Sequence, residues 1–184
     1  DYKKTNISDI NKFFETKIAT IYREDQESFI PLTSGISNKN SNIFGNISNN
    51  FSENININYD FILDNDLNTI EYNSLNTTLQ FRNLKTEFNF ISEHGDIGNT
   101  NTLSNNTKIK FNEANYLSFN TRRNREINLT EYYDLIYEYK NDCLVAGIKY
   151  NKTYYEDRDL RPSENLLFTI TLSPLTSFEQ KVDQ

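Results

Sequence analysis

Three consecutive stretches between residues 130 and 173 alternate apolar and polar side chains over about ten positions each, and this constrains the fold more than any other feature of the chain. In TEYYDLIYEYK, Tyr133, Leu135, Tyr137 and Tyr139 share one parity while Asp134 and Glu138 share the other. In CLVAGIKYNKTYY, Leu144, Ala146, Ile148 and Tyr150 oppose Gly147, Lys149, Asn151 and Thr153. In NLLFTITLS, Leu166, Phe168, Ile170 and Leu172 oppose Leu167, Thr169, Thr171 and Ser173. Period two is the spacing of a β-strand with two unlike faces. A strand of a soluble sheet averages ~5 to 6 residues, whereas a tilted membrane-crossing strand needs ~9 to 11. Whole charges on one face and aromatic, apolar residues on the other suit a wall with lipid outside and water inside.

Composition narrows the alternatives. Mean hydropathy is -0.73 and net charge is -7, yet 14% of residues are aromatic, too many for a disordered chain. No apolar run is long enough for a transmembrane helix, and alternating barrel strands escape that test. DYKKTNISDI lacks the apolar core of a signal peptide, so an exported protein would here be a processed product or a fragment. An acidic chain without Lys/Arg blocks argues against nucleic acid as partner.

Taken in order, residues 1–24 fit either a helix or a strand, and the β character downstream favours a strand from about 16 to 24; residues 25–40 read as a long loop. Thus 1–40 is a weakly defined strand and loop, 41–174 carries the regular strands, and 175–184 is a tail. Residues 54–63 alternate strictly, with Ile55, Ile57, Tyr59, Phe61 and Leu63 on one face. In the next run the apolar parity changes from Ile70 and Tyr72 to Leu75, Leu79 and Phe81, which predicts a β-bulge near Asn73 and Ser74. Short turns are expected near residues 51, 83, 113 and 141, roughly 30 residues apart, with longer polar loops near 65, 96, 126 and 159. The fold class expected is all-β, an antiparallel up-and-down meander of about ten long strands forming part of a transmembrane β-barrel. As an isolated piece it would be a curved, open sheet with two unpaired edges.

The run YYDLIYEYKNDCLVAGIKYNKTYYEDRDLRPSENLLFTITLSPL resembles the carboxy-terminal end of the LPS-assembly outer-membrane proteins, in an Asn-rich alphaproteobacterial style. The resemblance is strongest over 120–174 and extends back to 42. It implies a Gram-negative outer-membrane barrel of roughly two dozen strands, of which this chain is the C-terminal part. It also implies lipopolysaccharide as cargo, a plug lipoprotein and a periplasmic bridge of the lipopolysaccharide transport machinery as partners, and the barrel-assembly machinery during folding. Cargo would leave by a lateral gate between the first and last strands. On that basis Cys143 is a candidate for a disulfide to a periplasmic domain outside this chain, although Leu144 stands where the family pattern has a second cysteine. Residues 164–172 would be the gate strand, with Leu166, Phe168, Ile170 and Leu172 in it. Pro174, which cannot donate to a ladder, either weakens pairing there or simply ends the strand.

The remaining assignments follow from face and loop position. Tyr133, Leu135, Tyr137, Tyr139, Leu144, Ile148 and Tyr150 are expected to face lipid, and Lys108, Lys110, Asp134, Glu138, Lys149 and Asn151 the lumen. Arg122, Arg123 and Arg125 in one loop, and Glu156, Asp157, Arg158, Asp159 and Arg161 in another, suit either lipid phosphates with shared divalent cations or solvated ion pairs. One histidine, His94, and one cysteine make neither a nucleophile motif nor a zinc site, so neither catalysis nor a cofactor or resident metal is expected. A self-contained porin-like or adhesin barrel, and a soluble β binding module, are the alternatives. The module would turn Tyr133, Leu135, Phe168 and Ile170 into a core.

Overall fold

The computed structural model describes all residues except 26–27, 32–33, 96, 155–161, 173–175 and 183–184, and side chains are not described for 51 and 176–182. Twelve strands form one sheet in sequence order: β1 (Tyr2–Thr5), β2 (Phe13–Ala19), β3 (Ile43–Ser52), β4 (Ile55–Leu63), β5 (Ile70–Phe81), β6 (Leu84–Glu93), β7 (Asn101–Lys110), β8 (Asn115–Asn124), β9 (Leu129–Lys140), β10 (Leu144–Thr153), β11 (Ser163–Leu172) and β12 (Thr176–Val182). The neighbours whose registers are resolved pair antiparallel. The order runs from β1 to β12 and does not close into a barrel. Nine successive strands, β3 to β11, are 9 to 12 residues long.

Short and long connections alternate along the chain except at 111–114 and 125–128, which are both four residues. Residues 53–54, 82–83, 111–114 and 141–143 join strands tightly, and between them lie the connections 64–69, 94–100, 125–128 and 154–162. Asparagine makes several of these reversals. The Asn141 Oδ1 accepts from the Cys143 and Leu144 backbone N–H groups at 3.0 and 2.8 Å, and Asn112 Oδ1 does the same for Ala114 and Asn115 at 2.9 and 2.8 Å. A short amide side chain that closes its own turn explains much of the asparagine use.

Contacts divide the chain into two compact units, residues 1–79 with 88–103, and residues 80–87 with 104–184. In the first unit Ile47, Tyr59 and Leu75 lie side by side on one face, while Asn46, Asp60 and Ser74 lie side by side on the other. A β-bulge is present in β5. Ile62 pairs with Tyr72 and Leu63 with Ile70, so Glu71 is the extra residue. The bulge therefore falls earlier than Asn73 and Ser74, between Ile70 and Tyr72, and sends those two side chains to opposite faces.

Other departures are at the ends. Residues 1–40 hold two strands, and β2 begins and ends earlier than the 16–24 expected; the Asn6 N–H bonds the Lys12 carbonyl at 2.8 Å and closes the hairpin that holds β1. The supposed tail contains β12, which pairs with β11 from Leu172↔Thr176 to Leu166↔Val182. The segment TSFEQKV is long enough to make seven ladder positions. Pro174 lies outside the described residues, so whether it weakens or ends pairing is not decided there.

Within the first unit the Phe61 ring lies across Gly45. A Cβ at Gly45 would stand 2.1 Å from Phe61 Cζ, so glycine is required by close approach rather than by backbone conformation. Gly45→Ala is expected to cost about 1–3 kcal/mol by overpacking, read as a lower urea midpoint, and Gly45→Ala with Phe61→Leu should recover most of it.

Candidate functional site

Among the described residues the strands carry nearly all the regular structure, so the faces of the sheet are where side chains gather. In the second unit the apolar face is assembled by register. Leu117, Tyr137, Ile148 and Phe168 form one row across four strands, and Phe119, Leu135, Tyr150 and Leu166 form the next. Tyr139, Ala146 and Ile170 lie in a third row, and Leu144 and Leu172 end the band. All seven residues assigned to lipid share this face, as do the four leucine, phenylalanine and isoleucine residues assigned to the gate. Leu135, Phe168 and Ile170 are 42, 41 and 45% exposed, and no hydrophobic side chain is buried among the described residues.

The opposite face carries the charges. Lys149 Nζ lies 3.4 Å from Asp134 Oδ2, and the Asn151 amide donates to Asp134 Oδ1. Glu138 pairs with Tyr116 across the ladder, and Lys108 and Lys110 reach over the Tyr116 ring at 4.9 and 5.9 Å. The six residues assigned to the lumen are thus brought to one face. It is not purely polar, because Ile136 and Leu167 flank Lys149 there.

β11 has a neighbour on each side, so the edge position expected of residues 164–172 belongs to β12; seven further residues pair where a tail was expected. Cys143 is exposed and free in the turn after β9. Of the arginines, Arg122 Nε pairs with Glu131 Oε2 at 2.9 Å and Arg123 donates to Asn128. Glu156, Asp157, Arg158, Asp159 and Arg161 lie outside the described residues. His94 Nε2 is 2.9 Å from Ser92 Oγ, and no metal-binding group of His, Cys, Asp and Glu occurs among the described residues.

Sequence reading missed a cluster where the apolar face meets the 154–162 connection. Tyr150 Oη donates to Glu164 Oε1 at 2.6 Å, and Lys152 Nζ stands 3.2 Å from Glu164 Oε2 and 5.4 Å from the Tyr154 ring centre. The Tyr133 and Tyr154 hydroxyls are 3.2 Å apart. The signal available was the doubled tyrosine of NKTYYED, which strict alternation leaves unassigned. In the β1–β2 connection the Asn11 N–H, followed by Lys12, lowers Asp9.

No family model matches the chain, and neither a curated protein nor a solved structure matches it. Asp134→Ala is expected to cost about 1–3 kcal/mol, because Lys149 and Asn151 lose their acceptor. Lys149→Ala should cost less than about 1 kcal/mol, since that partner is substantially exposed; denaturant midpoints of the two variants check the order.

Proposed function

We propose that this chain is a membrane-spanning part of an outer-membrane β-barrel that moves lipopolysaccharide into the outer leaflet. The observation that carries the membrane reading is the exposed apolar face opposite a hydrogen-bonded polar one. A soluble sheet would cover that face, because a contiguous apolar patch larger than a few hundred Å² is rare on a soluble monomer. From Leu144 to Thr153 the strand rises ~30 Å along its axis, which a ~40° tilt reduces to ~23 Å, close to the ~25 Å of a barrel's apolar band. Tyr133, Tyr150 and Tyr154, with the Lys152–Glu164 pair, then mark one end of the band, where aromatic rings with polar tips belong. The lipopolysaccharide reading rests on the resemblance over residues 120–174. On it, the protein supplies a path and makes or breaks no bond.

The chain has no tryptophan, so single-tryptophan variants report one site each. In vesicles of lipids brominated on the acyl chains, Phe168→Trp is expected to be quenched and Lys149→Trp to be spared. Equal quenching of the two, or none, would sink the membrane reading. The cargo reading is checked through Cys143. The full-length product from membranes should shift on a gel between non-reducing and reducing conditions, and Cys143→Ser should abolish the shift. An unchanged pattern would leave a generic porin-like or adhesin barrel as the better description.

A further inference from the structure

The polar face of the first unit contains an apolar lane that the proposed path does not require. Ala19 pairs with Phe44, Phe44 with Ile62, and Ile62 with Tyr72, so four apolar side chains lie side by side across β2 to β5. The adjacent lane is Lys17, Asn46, Asp60 and Ser74, again in direct register. The bulge at Glu71 gives Tyr72 this side while Ile70 takes the other. It is also clamped: Asn42 Nδ2 donates to Glu71 Oε2 at 2.5 Å, and the His94 N–H donates to the Glu71 carbonyl at 2.7 Å.

An open cavity of about 540 Å³ lies along the two lanes, lined by Lys17, Phe44, Asn46, Asp60, Ile62 and Tyr72 among others. That is within the ~300–1,000 Å³ of small-ligand sites. Its polar wall is organised before any ligand arrives. The Asn46 amide donates to Asp60 Oδ1 at 2.6 Å and to Asn58 Oδ1 at 3.0 Å, and Asn58 donates to Asp60 Oδ2 at 2.8 Å. Each Asp60 oxygen thereby keeps one lone pair for a further donor.

We infer that this hollow is a saccharide-binding site, with the apolar C–H face of a pyranose laid on Tyr72 and Phe44 and its hydroxyls donating to Asp60. A sugar ring is the chemistry that needs a flat apolar surface and a row of fixed polar atoms at its rim. An acyl chain would leave the Asp60 carboxylate desolvated without a new partner. The assignment rests on the reading of this face as the one that meets water.

The test uses saturation-transfer NMR on the 184-residue chain in a zwitterionic, sugar-free detergent, with maltose and chitobiose as probes. Transfer is expected to the ring C–H protons, with Tyr72→Ala weakening binding at least fivefold and Tyr72→Phe leaving it unchanged. If Tyr72→Ala loses its strand signal by circular dichroism, Phe44→Leu carries the same expectation. No transfer to either probe, transfer indifferent to these substitutions, or displacement by free decanoate would overturn the saccharide site. Quenching of Phe168→Trp by brominated lipid together with absent transfer overturns the saccharide site alone. A chain that stays monodisperse without detergent and still shows the transfer keeps the site and overturns the membrane reading instead.

Discussion

Everything in this protein hangs on the ladder between neighbouring strands. No hydrophobic side chain is buried among the described residues, so the usual drive of apolar surface into a core is missing. Each strand is held by backbone hydrogen bonds and by the side chains directly across from it. Antiparallel cross-strand pairs contribute roughly 0.2–1 kcal/mol each, and they matter here because they occur in uninterrupted registers of nine or ten pairs, as between β9, β10 and β11. A slip of one residue would move Tyr137, Ile148 and Phe168 to the charged side and Asp134 and Lys149 to the apolar one. Alternation over this length is therefore what fixes register.

The distribution of burial is inverted relative to a soluble domain. The buried side chains are small and polar: Ser37, Ser41, Asn42, Thr86, Ser92 and Thr102. They are satisfied locally where their bonds are described. Ser41 Oγ accepts from the Ile21 N–H at 2.8 Å and donates to the Asn42 carbonyl at 2.7 Å, and Thr86 bonds Thr107 at 2.7 Å while accepting from Asn105 at 2.9 Å. Such bonds join Ile21 to Ser41 where β2 and β3 approach, without leaving these buried groups unpaired, which would be costly. The large apolar side chains stay at the surface, and the proposed membrane reading rests on that exposure.

Legibility followed the strength of the alternation. In β4, β9, β10 and β11 the alternation is nearly unbroken, and the side chains that share a face are those the alternation groups; the second neighbour of β11 was not foreseen. It weakens in β1 and β2, where Lys and Thr are mixed with aromatic residues, and in β12, which follows a proline; there strands were misplaced or missed. The parity change in β5 announces a bulge, but parity alone puts it near Asn73 and Ser74, midway between the two sets of apolar residues. The side chain that actually leaves the ladder is Glu71, held by partners from two distant segments, Asn42 and His94.

By itself the sequence determined that the chain is β, that its strands are long, and which side chains share a face, since period two is a property of neighbours in the chain. Only the tertiary structure decided which residues meet across strands. Cross-strand register brings Phe44, Ile62 and Tyr72 into one lane, collects Tyr133, Lys152, Tyr154 and Glu164 at one end of the apolar band, and pairs β11 on both sides. Those contacts join residues 4 to 28 positions apart, and their pairing depends on turn lengths and one bulge that local alternation does not encode.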